Sequence, residues 1–306
     1  MHVRTVRYDP AAMEFWVLIT VAAAFLQNVR SALQRQLTAR LSAEGAAYVR
    51  FLFALPFVAI YLFGLDSYLD TPLPEPNLAF AGYVVLGGGA QILGTVFLIR
   101  SFSTHNFAVG TAYSKTETIQ AALFGIVLLG EGVGQFAAAG ILISLLGVLA
   151  LSRPTRAVDG WFGVGAMWGV LSGSAFAASA VCYRGASLSL APVGVVVQAA
   201  VTLGWVLLFQ TLAMGCYLLL RNDGELIRIA RAWRPALLVG ICGMLASAGW
   251  FTAMAIEKAA YVRAVGQVEL VFTFIISIAV FRERQRTIDV AGVALIVSGI
   301  VLLLFD

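Results

Sequence analysis

The sequence predicts an all-α polytopic membrane protein with about ten transmembrane helices in two inverted five-helix repeats. Three observations carry this reading. Of 306 residues, 60% are hydrophobic and 12% charged, and the mean hydropathy is +0.91, whereas soluble domains are about a quarter charged. Apolar stretches of about 20 residues, the length that crosses a bilayer, follow one another almost end to end. Finally, the two halves carry the same charged and glycine landmarks at one offset. This composition excludes a soluble enzyme, a disordered chain, a disulfide scaffold and an outer-membrane barrel, whose strands alternate over about 10 residues.

Hydropathy and punctuation place spans at 13–35, 45–64, 78–100, 106–130, 135–152, 160–183, 192–220, 235–256, 259–281 and 288–305. The first follows Arg4 and Arg7 as a signal peptide would, but its apolar run continues into a polar face of Gln27, Asn28, Ser31 and Gln34, so it is retained as a span. The second holds Arg50 about two turns in and ends at a break carrying Pro72, Pro74 and Pro76. Gly87-Gly88-Gly89 loosens the third, which also carries Gln91. The fourth carries Tyr113-Ser114-Lys115-Thr116-Glu117-Thr118 and the fifth Gly140 and Gly147. Pro154 and Asp159 mark the middle of the chain. Gly165, Gly169 and Gly173 give the sixth span a small-xxx-small face suited to close helix packing, beside Trp168. Gln198 and Trp205 fall in the seventh, Trp250 in the eighth, Arg263, Gln267 and Glu269 in the ninth, and Gly292 and Gly299 in the tenth.

Sliding the sequence by 152 positions overlays Glu117 on Glu269, Glu131 on Glu283, Gly140 on Gly292 and Gly147 on Gly299. Residues 1–152 and 153–306 are therefore read as two repeats. Five spans is an odd number, so the second copy enters from the opposite side of the membrane. Inverted repeats of this kind build two alternately open half-channels around a midplane site, which points toward transport.

Ionisable groups in hydrocarbon cost about 2.5–3.5 kcal/mol each on insertion scales, so each needs a reason to be there. Glu117 lies about 21 Å along a helix from Glu131, well below the interface that Glu131 would mark. Glu117 and Glu269 either face a central cavity, binding cationic groups and exchanging protons, or are neutralised in structural pairs by neighbours such as Lys115 or Arg50. Lys115 is two residues from Glu117, on a different helical face, so those two pair poorly. Arg50 either grips a substrate carboxylate or snorkels to the interface. Gln91, Gln198 and Gln267 line a polar path or join helices. Trp168, Trp205 and Trp250 stack on substrate or anchor and pack.

The remaining features are negative. Net charge +4 comes from arginines in short loops, without the clustered patch that nucleic acid needs. Cys182, Cys216 and Cys242 read as small core residues, and only His2 and His105 are present, so neither a metal site nor a cofactor is expected. No phosphate-binding loop or hydrolase motif occurs, which speaks against ATP-driven transport by this chain.

Ten spans in two inverted repeats, with each fourth span ending on a glutamate (Leu129-Gly130-Glu131; Phe281-Arg282-Glu283), resemble the EamA-type transporters of the drug/metabolite transporter superfamily. Gln267-Val268-Glu269-Leu270-Val271-Phe272 and the Gly292–Gly299 segment of the last span strengthen the resemblance. It implies a secondary active transporter with a substrate cavity between the repeats, to which the fourth and ninth spans contribute. The implied cargo is a small polar metabolite, an amino acid or related compound, with export favoured and proton or ion coupling admitted. The implied place is a bacterial-type cytoplasmic (inner) membrane, and the small-xxx-small faces suit internal packing and a homodimer alike. On this reading Glu117 and Glu269 are coupling or cation-binding groups, Arg50 and Lys115 carboxylate contacts, and Gln267, Gln198, Gln91, Tyr113 and Trp168 further cavity residues. The alternative is a non-transporting membrane scaffold whose buried charges are structural.

Two features depart from the resemblance. Many members carry a proline after the glutamate where Thr118 and Leu270 stand here, so a helix kink at this point lacks its usual cause. Arginines also crowd the connections after the first, fifth, seventh and ninth spans, which by the positive-inside rule places both termini outside, whereas the resemblance implies termini inside.

Overall fold

The computed structural model describes residues 10–68, 73–102, 113–151, 164–221, 224–279 and 286–306. The start of the fourth span, the 153–160 linker, both histidines and Phe281-Arg282-Glu283 lie outside the described residues. Helices account for nearly everything else: α1 (Pro10–Leu37), α2 (Ala43–Leu52), α3 (Leu55–Tyr68), α4 (Leu78–Phe102), α5 (Glu117–Leu129), α6 (Gln135–Leu151), α7 (Val164–Ser189), α8 (Val195–Arg221), α9 (Glu225–Arg231), α10 (Trp233–Ile256), α11 (Ala259–Gly266), α12 (Val268–Ala279) and α13 (Thr287–Leu303). No strand occurs among the described residues.

Six segments are long and apolar enough to cross a bilayer: Phe15–Leu37, Ala43–Tyr68, Leu78–Ser101, Val164–Ser189, Val195–Arg221 and Trp233–Ile256. The expected ten full spans are thus six among the described residues. Glu117–Leu129, Gln135–Leu151 and Thr287–Leu303 are apolar but shorter, and the ninth span is divided into α11 and α12. Outward-facing side chains are apolar, as a lipid boundary requires: Phe63, Val127 and Leu220 are each more than 70% exposed.

Local chemistry sets the breaks. Pro56 has no N–H and its ring crowds the Leu52 carbonyl, so the second span turns at Phe53-Ala54, with the Ala54 amide bonded to Phe51 O at 3.3 Å. Ser42 caps α2 by accepting from the Gly45 amide at 2.9 Å. Gly130, left-handed at φ 69°, ends α5; its amide bonds Ile126 O in an αL closure and the Glu131 amide reaches back to Gly125 O, both at 3.1 Å, where the chain leaves the helix.

The most extensive helix contacts are α4 with α7, α6 with α13 and α1 with α10. Gly87 and Gly88, expected to loosen α4, instead let it approach Tyr183 and Phe209: a Cβ on either glycine would lie 2.8 or 2.6 Å from those rings. The α6–α13 contact is self-complementary. A Cβ on Gly140 would meet Gly299 O at 2.5 Å, and one on Gly147 would meet Gly292 O at 2.6 Å. Between them Ser144 Oγ donates to Ile296 O at 3.2 Å. Residues 144 and 296 are related by the offset of 152, and the flanking glycines meet reciprocally. That pattern is a local two-fold axis perpendicular to two antiparallel helices.

Candidate functional site

The fourth and ninth spans meet at their interruptions. In the fourth, the helical turn at Tyr113-Ser114 gives way at Lys115-Thr116 and α5 restarts at Glu117. The Thr116 amide and hydroxyl both bond Tyr113 O, at 3.2 and 2.6 Å. In the ninth, α11 ends at Gly266, Gln267 forms a turn with its amide on Ala264 O at 3.1 Å, and α12 carries Glu269 in its first turn. Both helices therefore tighten into i−3 bonding just before the glutamate, without a proline. The local carbonyls are satisfied by hydroxyl and tightened amide donors instead.

These breaks direct polar side chains inward. Lys115 Nζ forms an ion pair with Glu269 across the two halves, both side chains less than a fifth exposed. Glu269 also accepts from Gln27 Nε2 at 2.8 Å, and its carbonyl accepts from Asn28 Nδ2 at 2.9 Å. Gln267 Nε2 donates to Thr118 Oγ1 at 2.7 Å. Glu117 lies 3.9 Å from Arg263 Nη1, whose guanidinium sits 5.5 Å above the Trp250 ring.

Around this pair lies a cavity of about 360 Å³, in the size range of small-molecule sites. Glu117, Glu269, Lys115, Arg50 and Gln91 line it, with Arg30 and Arg263. A smaller cavity of about 50 Å³ adjoins it, sharing Arg30, Arg50, Gln91 and Arg263, and is walled by Tyr183, Trp250 and Phe251, the Tyr183 and Phe251 rings stacked at 4.5 Å. Gln210 Nε2 donates to Gln91 Oε1 at 2.7 Å, so Gln91 both lines the cavity and ties α4 to α8. Gln267 borders a smaller recess beside the ion pair. The other expected residues sit elsewhere. Gln198 is buried near the start of α8 on Val193 O, 2.8 Å away. Trp168 packs on Phe97 and under Arg100. Tyr113 contributes its carbonyl to the α5 break. Trp205 borders an outer apolar groove.

Arg30, Tyr183 and Gln210 were not singled out from sequence. Arg30 was legible: it belongs to the same polar stretch of α1 as Gln27 and Ser31, and the cost argument applied to Arg50 applies to it equally.

The cavity lining reaches Gln34 and Leu98, near the C-terminal ends of α1 and α4. Toward the opposite ends of the helices Arg184 ties the two halves together: its Nε donates to both Glu131 oxygens at 2.7 and 2.9 Å and its Nη1 donates to Met254 O and Glu257 O at 2.8 and 2.7 Å. Lys258 Nζ, on the same end, donates to Gly132 O at 2.8 Å. The Gly130 turn thus places a first-half carboxylate against second-half donors. On the other face, outside the spans, Glu225 accepts from the Ser42 amide and from Arg228 Nε, both at 2.7 Å. Burial alone would raise the Glu225 carboxyl, but these donors outweigh it and hold it below the usual carboxylate range.

The EamA-like transporter family matches residues 14–153 and again residues 163–305. No curated protein matches in sequence. A solved structure described only as "Crystal structure of protein" is similar in fold, with a TM-score of 0.69 over 94% of this chain and 96% of that one at 20% identity.

Proposed function

The chain belongs to the EamA-like transporter family, as the sequence resemblance implied, and on that premise we propose that it is a secondary transporter working by alternating access between two inverted repeats. Its cargo is a small polar metabolite, an amino acid or a related compound, moved outward across a cytoplasmic membrane. The observation that supports this reading most strongly is a cavity whose ion pair, Lys115–Glu269, joins the interruptions of the fourth and ninth spans, while Arg184 and Glu131 tie the halves toward the opposite ends of the helices.

Interrupted helices suit such a site because their freed backbone and polar side chains are tolerated at membrane depth only where they line a cavity. Arg35, Arg40, Arg221, Arg228 and Arg231 gather at the end toward which the cavity reaches. The positive-inside rule makes that end cytoplasmic, so cargo loads from the cytoplasm, as export requires. Glu269 and Glu117 are the coupling groups, able to exchange a cation or proton as the lysine pair opens.

The test is flux in vesicles containing the purified full chain. Glu269→Gln keeps the shape of the side chain and removes its charge. The expected result is at least a tenfold loss of metabolite flux, with the protein still folded and monodisperse. Unchanged flux and unchanged pH dependence refute the coupling role; loss of folding with flux per folded molecule retained makes Glu269 a structural residue, and absence of flux from the unaltered protein favours a non-transporting scaffold.

A further inference from the structure

Resting on the reading of this cavity as the transport site, we infer that the cargo is a small organic anion held through a carboxylate or phosphate group by Arg30 and Arg50. The charge balance of the cavity leads there. Its ionisable lining comprises Arg30, Arg50, Lys115 and Arg263 against Glu117 and Glu269. Both carboxylates already have cationic neighbours, Glu269 in Lys115 and Glu117 in Arg263. That leaves two positive charges in excess, and the arginines of α1 and α2 are the two that form no ion pair among the described residues, although Arg30 also feels the Glu269 carboxylate.

Their surroundings say the same. Nε of Arg30 and both Nε and Nη2 of Arg50 are buried and make no hydrogen bond among the described residues. The nearest ring to the Arg50 guanidinium is that of its neighbour Phe51, at 4.4 Å. A lysine in this position can shed its proton, but a guanidinium stays charged. Desolvating such a charge without a counter-ion costs several kcal/mol. The unused Nε and Nη2 of Arg50 form one edge of a guanidinium fork, the geometry that carboxylate and phosphate oxygens accept, and Nε of Arg30 adds a further donor. A cationic cargo would meet net repulsion and a net-neutral zwitterion would leave the excess charge in place, which narrows the small polar metabolites of the transport reading to those with net negative charge. The stacked Tyr183–Phe251 wall and the Gln91 and Gln210 amides receive the uncharged body of the molecule.

Cysteine labelling tests the sign of this field without knowing the cargo. Ser31, which lines the cavity, is changed by Ser31→Cys after Cys182, Cys216 and Cys242 are replaced by alanine in the full chain. Labelling rates are compared for an anionic and a cationic methanethiosulfonate reagent, each divided by its rate with a free thiol. A cleft of one charge sign raises the local concentration of its counter-ion by about 10–10³-fold. The normalised anion preference is expected to be at least tenfold, and to fall toward unity in Arg30→Gln and Arg50→Gln. Equal rates, or a cation preference, in the Ser31→Cys protein overturn the proposal, and that parent measurement does not depend on the arginine variants folding.

Flux then separates the two readings. Vesicles carrying the protein are offered succinate against succinamide and glucose 6-phosphate against glucose, so that the carboxylate and phosphate arms are read independently. Uptake confined to charged members supports the anion assignment. Uptake of neutral members or of putrescine, with charged members excluded, leaves the transporter standing and removes the anion assignment. Strong anion preference in labelling, with neither succinate nor glucose 6-phosphate crossing although both protect Ser31→Cys, keeps the anion site and refutes transport through it.

Discussion

Replacing Arg184 by glutamine should loosen the joint between the two halves on the face away from the arginine-rich loops and so open a path to the cavity from that side. Arg184 donates four hydrogen bonds, two to the Glu131 carboxylate and two to the carbonyls of Met254 and Glu257. Its side chain is 10% exposed and that of Glu131 18%, so water screens the pair only in part. Removing one member of a fully buried pair costs about 3–5 kcal/mol, and the residual exposure argues for the lower end, about 3 kcal/mol. That energy stabilises the state in which the two halves meet here. A change of about 3 kcal/mol shifts a two-state equilibrium by about a hundredfold, enough to bring an alternative populated at about 1% to about half of the molecules. The assay is a single cysteine at Ser247, on the wall of the smaller cavity, in the background without native cysteines, exposed to an impermeant thiol reagent from one side of oriented vesicles at a time. With Arg184 present, labelling is expected from the arginine-rich face; with Arg184→Gln, labelling from the opposite face should rise by one to two orders of magnitude. Glu131→Gln should act in the same direction. If both variants lose about 3 kcal/mol of stability while labelling from that face stays unchanged, the contact is a structural tie and the gating argument fails.

Three other outcomes follow from the same coordinates. Gly299→Ala places a methyl 2.5 Å from Gly140 O, a backbone atom that cannot yield, whereas Gly89→Ala meets nothing within 4 Å; the first should cost at least about 1–3 kcal/mol and the second add about 0.5–1 kcal/mol, read as opposite shifts in melting temperature. Because Glu225 is held below the usual carboxylate range, its contribution is present in full above its unfolded value near pH 4.3 and is lost as the pH falls through its lower folded value; Glu225→Gln should therefore lower stability at pH 7 and flatten the acid limb of the melting curve, and an unaltered acid limb contradicts the assignment. A reporter fused after Asp306 should be active only outside the cytoplasm if the arginine-rich face is cytoplasmic, and activity only inside reverses the orientation and with it the side from which cargo loads.

Much of this protein was already determined by its sequence, because a bilayer admits few solutions. Apolar runs of spanning length must be helical to satisfy their own backbone groups, and a charge within them must serve a purpose, which drew attention to Glu117, Glu269, Lys115 and Arg50 before any geometry was known. The offset of 152 likewise lies in the residues themselves. Pairing is a different matter, since helical periodicity shows which face a residue occupies and nothing of what faces it. Lys115 and Glu117, two residues apart, point to different faces, and the bond of Lys115 to Glu269, 154 positions away, exists only once two interrupted helices cross. The interruptions themselves had no proline to announce them; they arise where tightened amide bonds and a threonine hydroxyl replace the regular ladder. Gln198 and Trp168 had the right chemistry but pack outside the cavity, and nothing in the sequence joins Arg184 to Glu131, 53 positions away, until the folded chain brings them together. Composition decides that a polar group at membrane depth must find a partner; tertiary packing decides which one, because only the crossing of helices brings charges distant in sequence within reach.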